Sequence, residues 1–554
     1  MNPKILWSTV FLVLVVLFVW SIPAKRIEKD RLSGIVRQLA SDEFQGRAPG
    51  TVGEMRTLAY LTEYFSSLGL SPGGNQGSWV QAVPLIHTQL QVPFHVAIHS
   101  GEAHWQLQQA TDLEVSTIQA TSHVRIQDAP LVFVGFGASA PERDWDDYGD
   151  IDLNGKVAIF LVNDPDFAAQ PGEAVVNRFG NRRMTYYGRW TYKFEEAARR
   201  GAIAALVIHE DKAAGYGWNV ASSSPGENYS IVNTGVTQNG LKLQGWLHGD
   251  AATRLFEIAG LDLQQLRTAA RQPQFEAFTL DKVSFSADLA VKLESIESQN
   301  LLARLPGTDQ GDETIMVSAH WDAYGIGAAD EQGRVVRPGA NDDALGVAGV
   351  MELARVLKQG PTPARSIVFA LWTAEESGLL GSAFYAQNPI YPTAKTVANF
   401  TLDILQTAGL ARDVILVGEG QSELESDLAR AALTQGRTVT PESLPENGLF
   451  FRADHFSLAK EGVPVLLLMG IAGGADLVEG GRSAGDQWVT DYISGCYHQT
   501  CDAWDPAWDL SGAVQDVELF QWIIEDLADS RRWPEWKEGS EFKAIRQQSS
   551  HQRQ

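Results

Sequence analysis

Five short motifs, HWDAYG, GANDDALG, TAEESG, TLDILQTAG and CYHQTCD, place His320, Asp342, Glu375, Glu376, Asp403 and His498 in order along the chain. Imidazole and carboxylate are ligands that zinc takes, and two ions sharing a bridging carboxylate can hold both the attacking and the leaving oxygen of a hydrolysis. The set suffices for two zinc ions with one carboxylate left for acid and base work. It reads as the site of a hydrolase.

The surrounding residues say how such a set would be positioned. His320 follows the apolar run 314–319, so it falls at the carboxyl end of a buried strand, where open α/β sheets bind their ligands. Asp322, two residues on, could orient the imidazole; a strand-end histidine is also an ordinary structural residue. Asp342 and Asp343 precede a helix predicted over 344–357, where Val347, Val350, Met351, Ala354 and Leu357 recur at helical spacing. There they are either ligands or acidic caps that favour the helix dipole. Glu375 and Glu376 follow a strand-like run, 366–371, and adjacent carboxylates repel unless a cation separates them or one is protonated. A metal bound by Glu376 resolves that conflict and leaves Glu375 free to take a proton from water.

Asp403 stands in the apolar run 397–405, where an isolated charge costs several kcal/mol, roughly, unless it is paired or metal-bound. His498 sits between Cys496 and Cys501, the only two cysteines. Their spacing permits a small disulfide loop that would stiffen the backbone presenting the imidazole. Free thiols and zinc thiolates are the alternatives.

In this order the motifs resemble those of the zinc exopeptidases of peptidase family M28, which takes in secreted bacterial aminopeptidases and, more distantly, glutamate carboxypeptidase II and the transferrin receptor. The resemblance runs from about Asp42 to about Leu527. It implies that His320, Asp342 and Asp403 hold one zinc and Asp342, Glu376 and His498 the other, with Asp342 bridging and Glu375 the general base. Arg452, in FRADHFSLAKEGVPVLLL, resembles a substrate-contacting arginine; an ion pair with Asp454 is the alternative. Tyr497 resembles a tyrosine that polarises the scissile carbonyl, and a packed aromatic is the other reading. The implied activity is aminopeptidase hydrolysis of the N-terminal peptide bond. A carboxypeptidase or dipeptidase, a one-zinc glutaminyl cyclase and a non-catalytic receptor-like module are the rivals.

The expected fold is α/β. Strands predicted at 315–319, 367–371, 397–402, 414–417 and 463–468 alternate with helical stretches, which argues for a mixed sheet with helices on both faces. An amphipathic helix begins at Thr51 and Glu54, a capping box, and presents Leu58, Leu61, Phe65 and Leu68 on one side. Between 111 and 294 short strands and turns dominate and no metal set occurs, a block that resembles a protease-associated insert of mostly β structure. In it Arg178, Arg182, Arg183, Arg189 and Lys193, with Tyr186, Tyr187 and Trp190, face either the active-site mouth or solvent. The catalytic part is thus expected at 27–110 and 295–534, and the polar tail 535–554 is expected to be disordered.

A chain of 554 residues, 44% hydrophobic, is long enough for more than one core. Its net charge of −24 disfavours nucleic acid and anionic membrane surfaces as partners. Peptide is the expected substrate. Residues 5–24 carry no charge and are just long enough to span a bilayer of ~30 Å, so residues 1–26 are expected to be a signal-anchor or signal peptide. Lys25, Arg26, Lys29 and Arg31 follow, against the positive-inside rule, whereas a disulfide favours the exported side. The expectation is an envelope protein with its catalytic part outside the cytoplasm.

Overall fold

The computed structural model describes residues 26–222, 225–232 and 240–553. One strand, Phe278–Leu305, runs for 28 residues and organises the whole chain. Its last residues pair antiparallel with Arg365–Trp372, Leu301 opposite Leu371. From there Gln310–His320, Thr396–Leu402 and Val465–Leu468 follow as parallel neighbours, so the catalytic part carries a mixed sheet. The predicted strand near 414 forms as Asp413–Leu416 but pairs only with Thr438–Pro441, outside this sheet.

Successive residues of a strand face opposite sides, and here both sides are buried. Ile315, Val317 and Ala319 join Ile367, Phe369 and Leu371 in a core under the helices Lys29–Leu39, Val52–Ser67, Leu345–Lys358 and Ser511–Asp529. Met316, Val368, Ala370 and Trp372 point the other way, into a core shared with His455–Lys460. Leu58, Leu61 and Phe65 are buried as the amphipathic pattern requires. The Thr51 side chain accepts from Gly53 N and Glu54 N, while Glu54 reaches back one residue further than a capping box would, to Gly50 N at 2.5 Å.

The insert departs from a separate, mostly β module. Its strands His123–Phe133, Val157–Leu161, Ala204–His209 and Leu243–His248 lie parallel, and helices cover both faces. Trp190–Arg199 packs on the side of Ala158 and Phe160, and Gly249–Ile258 on that of Ile159 and Leu161. The insert sheet is continuous with the catalytic one, because Phe278–Leu305 pairs with His123–Phe133 at one end and Arg365–Trp372 at the other. Strands His95–Ser100 and Ala103–Gln106 belong to it too, so the insert begins before residue 111. The stretch KLESIES at 292–298 hid this strand in the sequence, since its polar residues lie where the strand crosses between the two cores.

The tail is also corrected. Trp536 and Phe542 are buried, the Trp536 indole donates to Gly462 O at 2.8 Å, and Lys543–Gln548 is a short helix. Arg546 is buried and donates to Thr396 O at 3.0 Å. Two aromatic anchors and one arginine suffice to dock a segment whose composition is otherwise polar. The anchor expectation falls on residues 1–25, outside the described residues; among the described residues no helix is long and apolar enough to cross a membrane.

Candidate active site

Three parallel strands end at one place. His320 closes Gln310–His320, Asp403 follows Thr396–Leu402, and Glu375 and Glu376 follow Arg365–Trp372, so all four lie along the carboxyl edge of the sheet. Asp342 comes from the turn Ala340–Ala344 that leads into Leu345–Lys358. His498 follows the turn Tyr492–Cys496, in a loop closed by the Cys496–Cys501 disulfide, whose Cα atoms are 5.1 Å apart. Ala374, Ile404 and His498 take left-handed backbone conformations, φ +51, +54 and +63, which non-glycine residues adopt at a cost. Each lies at or beside a residue of the set.

The set converges around Asp342. Its Oδ1 is 3.2 Å from His320 Nε2 and its Oδ2 is 3.2 Å from His498 Nε2. Glu376 Oε2 lies 3.4 Å from His498 Nε2, and Glu375 Oε2 lies 4.0 Å from His320 Nε2. Ligand atoms of His320, Asp342 and Asp403 all lie within 4.8 Å of one another, as do those of Asp342, Glu376 and His498. Glu375 belongs to neither group.

The residues present fit a pair of cations. His320 Nε2, His498 Nε2 and Glu376 Oε1 are buried without a hydrogen-bond partner, which is costly unless something absent from the protein atoms engages them. Burial first, and then mutual repulsion, pushes the Glu375 and Glu376 carboxyls well above the usual range and that of Asp403 up to about 7. Positive charge among them reverses that penalty.

Asp322 acts on its neighbours in two ways. Its backbone carbonyl, rather than its carboxylate, accepts from His320 Nδ1 at 3.2 Å, which leaves Nε2 facing Asp342. The carboxylate accepts from the backbone of Glu375 at 3.1 Å and Glu376 at 3.4 Å, and so fixes the turn that sends those two side chains apart.

Several supporting roles were not read from the sequence. Asp343 accepts from His320 N at 3.2 Å and Gly346 N at 2.9 Å; a Cβ at Gly346 would lie 2.2 Å from its Oδ1, so only glycine fits. Asp502, the last residue of CYHQTCD, accepts from Asn341 N and Asp342 N at 3.0 and 3.1 Å. Arg47 is fully buried and donates to the carbonyls of Trp321, Leu39, Pro338 and Gly339. Burial lowers its pKa, and the charges of Asp322, Asp502, Asp343 and Asp342 oppose that, so it is the internal counter-charge of the acidic site. The one sequence signal was an arginine between glycine and alanine in GRAPG, which carries no chemical pattern of its own.

Tyr324, partly exposed, lies 2.9 Å from His498 Nδ1, its ring 4.4 Å from the imidazole. A tyrosine so placed fixes the ring with Nε2 toward Asp342 and Glu376. Tyr324→Phe is expected to weaken zinc binding at the His498 group by about tenfold, leaving the His320 group unchanged. Competition against a chelator reads this directly, and an unchanged second affinity would show that the contact does not orient the ring.

Arg452 and Tyr497 line the cavity that Asp342, Glu375 and Asp403 open into, together with Leu449, Met469 and Ile471. Arg452 makes no ion pair with Asp454 or with any other described residue. The Tyr497 ring lies tilted against that of His498, 3.6 Å between ring centres, and burial raises its phenol well above the ordinary value, which keeps it a hydrogen-bond donor. The basic cluster of the insert is divided: Arg178 and Arg182 are exposed, Arg182 pairing with Glu446 at 2.8 Å, whereas Arg189 and Lys193 are buried, Lys193 on the carbonyls of Phe136 and Tyr187.

Residues 300–520 match the model of peptidase family M28. Leupeptin-inactivating enzyme 1 of Streptomyces exfoliatus is 28% identical over 230 residues, 40% of this chain and 48% of that protein. The probable lipoprotein aminopeptidase LpqL of Mycobacterium tuberculosis is 27% identical over 235 residues, 39% of this chain and 43% of that protein. The chain therefore spans about half, or less, of the length of these relatives. Among solved structures, an aminopeptidase from Aneurinibacillus sp. strain AM-1 aligns over 93% of this chain and 96% of its own, with 20% identity and a TM-score of 0.48. The zinc aminopeptidase of Bacillus subtilis aligns over 91% and 96%, with 18% identity and a TM-score of 0.43.

Proposed function

We propose that the chain is a di-zinc aminopeptidase that hydrolyses the N-terminal bond of peptides. The observation that carries this reading is the pair of three-residue groups sharing Asp342, with buried, unpartnered imidazole nitrogens aimed at the shared space. His320, Asp342 and Asp403 would hold one ion, and Asp342, Glu376 and His498 the other. When bound, zinc supplies Lewis acidity that acidifies a water and polarises the scissile carbonyl. Glu375, outside both groups yet 4.0 Å from His320 Nε2, takes the proton of that water and returns it to the leaving amine. Tyr497 donates to the carbonyl oxygen as it gains charge. The acidic lining favours a free amino group, and the name of one relative, a probable lipoprotein aminopeptidase, agrees with that polarity.

We infer an envelope location from the uncharged N-terminal segment, the disulfide and the lipoprotein relative, and a substrate-gating role for the insert. Metal analysis after removal and re-addition of zinc tests the centre. Two ions per chain and activity restored only with both are expected. A single ion with full activity would replace this reading with the one-zinc acyl transfer.

A further inference from the structure

Four buried polar side chains stand beside the site without belonging to either metal group. Glu54, Ser298, Asn300 and Thr373 come from three separate segments, and none is more than 4% exposed. Burying a carboxylate, two hydroxyls and an amide is costly unless each finds a partner. Here they find one another. Ser298 Oγ lies 3.1 Å from both carboxylate oxygens of Glu54 and 2.5 Å from Thr373 Oγ1. Asn300 Oδ1 accepts from Thr373 N at 3.1 Å, and its Nδ2 donates to Gly381 O at 2.9 Å.

The direction of these bonds follows from the count of donors. An ionised carboxylate only accepts, and a hydroxyl carries one proton. Ser298 gives its proton to Glu54, so Thr373 has to donate its own to Ser298. The threonine is then held at every polar atom: the hydroxyl by Ser298, the N–H by Asn300 Oδ1, and the carbonyl by Gly381 N at 3.0 Å. The space on that side is full, since a Cβ at Gly381 would come within 2.3 Å of Thr373 O and 2.4 Å of Asn300 Oδ1. A helix cap alone would not require this arrangement. Glu54 also accepts from Gly50 N at the start of Val52–Ser67, which an exposed carboxylate could do. Reaching Ser298 takes it out of water, and burial pushes its carboxyl up to about 7 against the hydrogen bonds from Gly50, Ser298 and Gln299.

The residues after Thr373 say what that cost serves. Ala374 follows in the left-handed conformation at φ +51, and Glu375 and Glu376 come next with their amides on Asp322. The turn is thus clamped on both sides, by Thr373 before it and by Asp322 beyond it. We propose that Glu54 is a positioning residue for Glu375, acting through Ser298 and Thr373 to fix the turn that aims the base. This rests on the reading of Glu375 as the general base.

Glu54→Gln, Thr373→Val and Thr373→Ser in the full, zinc-loaded chain test it. The first puts an NH₂ group among the donors Gly50 N, Gln299 N and Ser298, and the second removes the hydroxyl at nearly constant size. Each should lower kcat on an unblocked dipeptide about tenfold with KM and zinc content unchanged, whereas Thr373→Ser should stay within about threefold of the parent. The Glu54→Gln/Thr373→Val double variant should be no slower than the worse single one, because both break the same chain of bonds. Amide hydrogen exchange gives a readout apart from activity: segment 373–381 should exchange about tenfold faster in both single variants, with helix Leu345–Lys358 unchanged. If Glu54→Gln does not fold, Ser298→Ala takes its place in the comparison. Unchanged kcat, additive losses in the double variant, or exchange at 373–381 that does not quicken overturns the positioning role. So does a loss of zinc or a rise in KM in place of the fall in kcat. If the zinc-loaded parent cleaves no unblocked peptide, the aminopeptidase reading fails by itself, and the exchange result alone decides whether Glu54 orders the turn.

Discussion

Glu375→Gln is expected to lose about two to four powers of ten in turnover while keeping two zinc ions per chain. Removing a general base of this kind is typically worth 10²–10⁴ in rate, roughly 3 to 5 kcal/mol of barrier. The amide keeps the size and the hydrogen-bond reach of the carboxylate it replaces, so the effect isolates proton transfer. Metal content should not change, because Glu375 lies outside both groups of converging ligand atoms, whereas Glu376 Oε2 sits 3.4 Å from His498 Nε2. The division between neighbours has a structural cause. Asp322 receives the backbone amides of both glutamates, and the left-handed Ala374 turns the chain just before them, so the two carboxylates are aimed at different tasks. Loss of one metal in Glu375→Gln, measured by metal analysis of the purified protein, would show that the two roles are exchanged.

The residues that chemistry requires were legible in the sequence because each is anomalous by type. Asp403 in an apolar run and His498 between the only two cysteines stand out without any structure. So were the strands that end beside them, since alternate residues such as Ile315 and Met316 feed two different cores. What was not legible is the support. Arg47 acts through four backbone carbonyls from distant segments, and no spacing rule predicts such a partner set. Asp343 looked like a helix cap, and it does accept from Gly346 N; its second bond, to His320 N, exists only once the sheet and the helix are packed. Arg189 was visible as one of a basic cluster, but its lack of a partner is a property of the packed insert alone. The insert boundary failed for a related reason: a strand of 28 residues that serves two sheets shows a polar crossing point in its middle, which reads as a linker.

Blocking the substrate's amino group is expected to produce the second large effect. An unblocked short peptide should be cleaved at its first bond, and its N-acetyl form should lose at least about tenfold in rate, roughly 1.4 kcal/mol of barrier. The cavity is lined by Asp342, Glu375 and Asp403 against one unpaired guanidinium, Arg452, so a free ammonium is attracted where an acetyl cap brings only bulk. A C-terminal amide should still be cut, because attack at the first bond depends on the amino end and not on the departing one. The two ends of the substrate are therefore separable by experiment, since acetylation acts at the acidic wall and amidation does not. If the N-acetyl peptide is hydrolysed normally while amidation abolishes cleavage, Arg452 holds the residue being released, and the aminopeptidase reading gives way to a carboxypeptidase built on the same zinc centre.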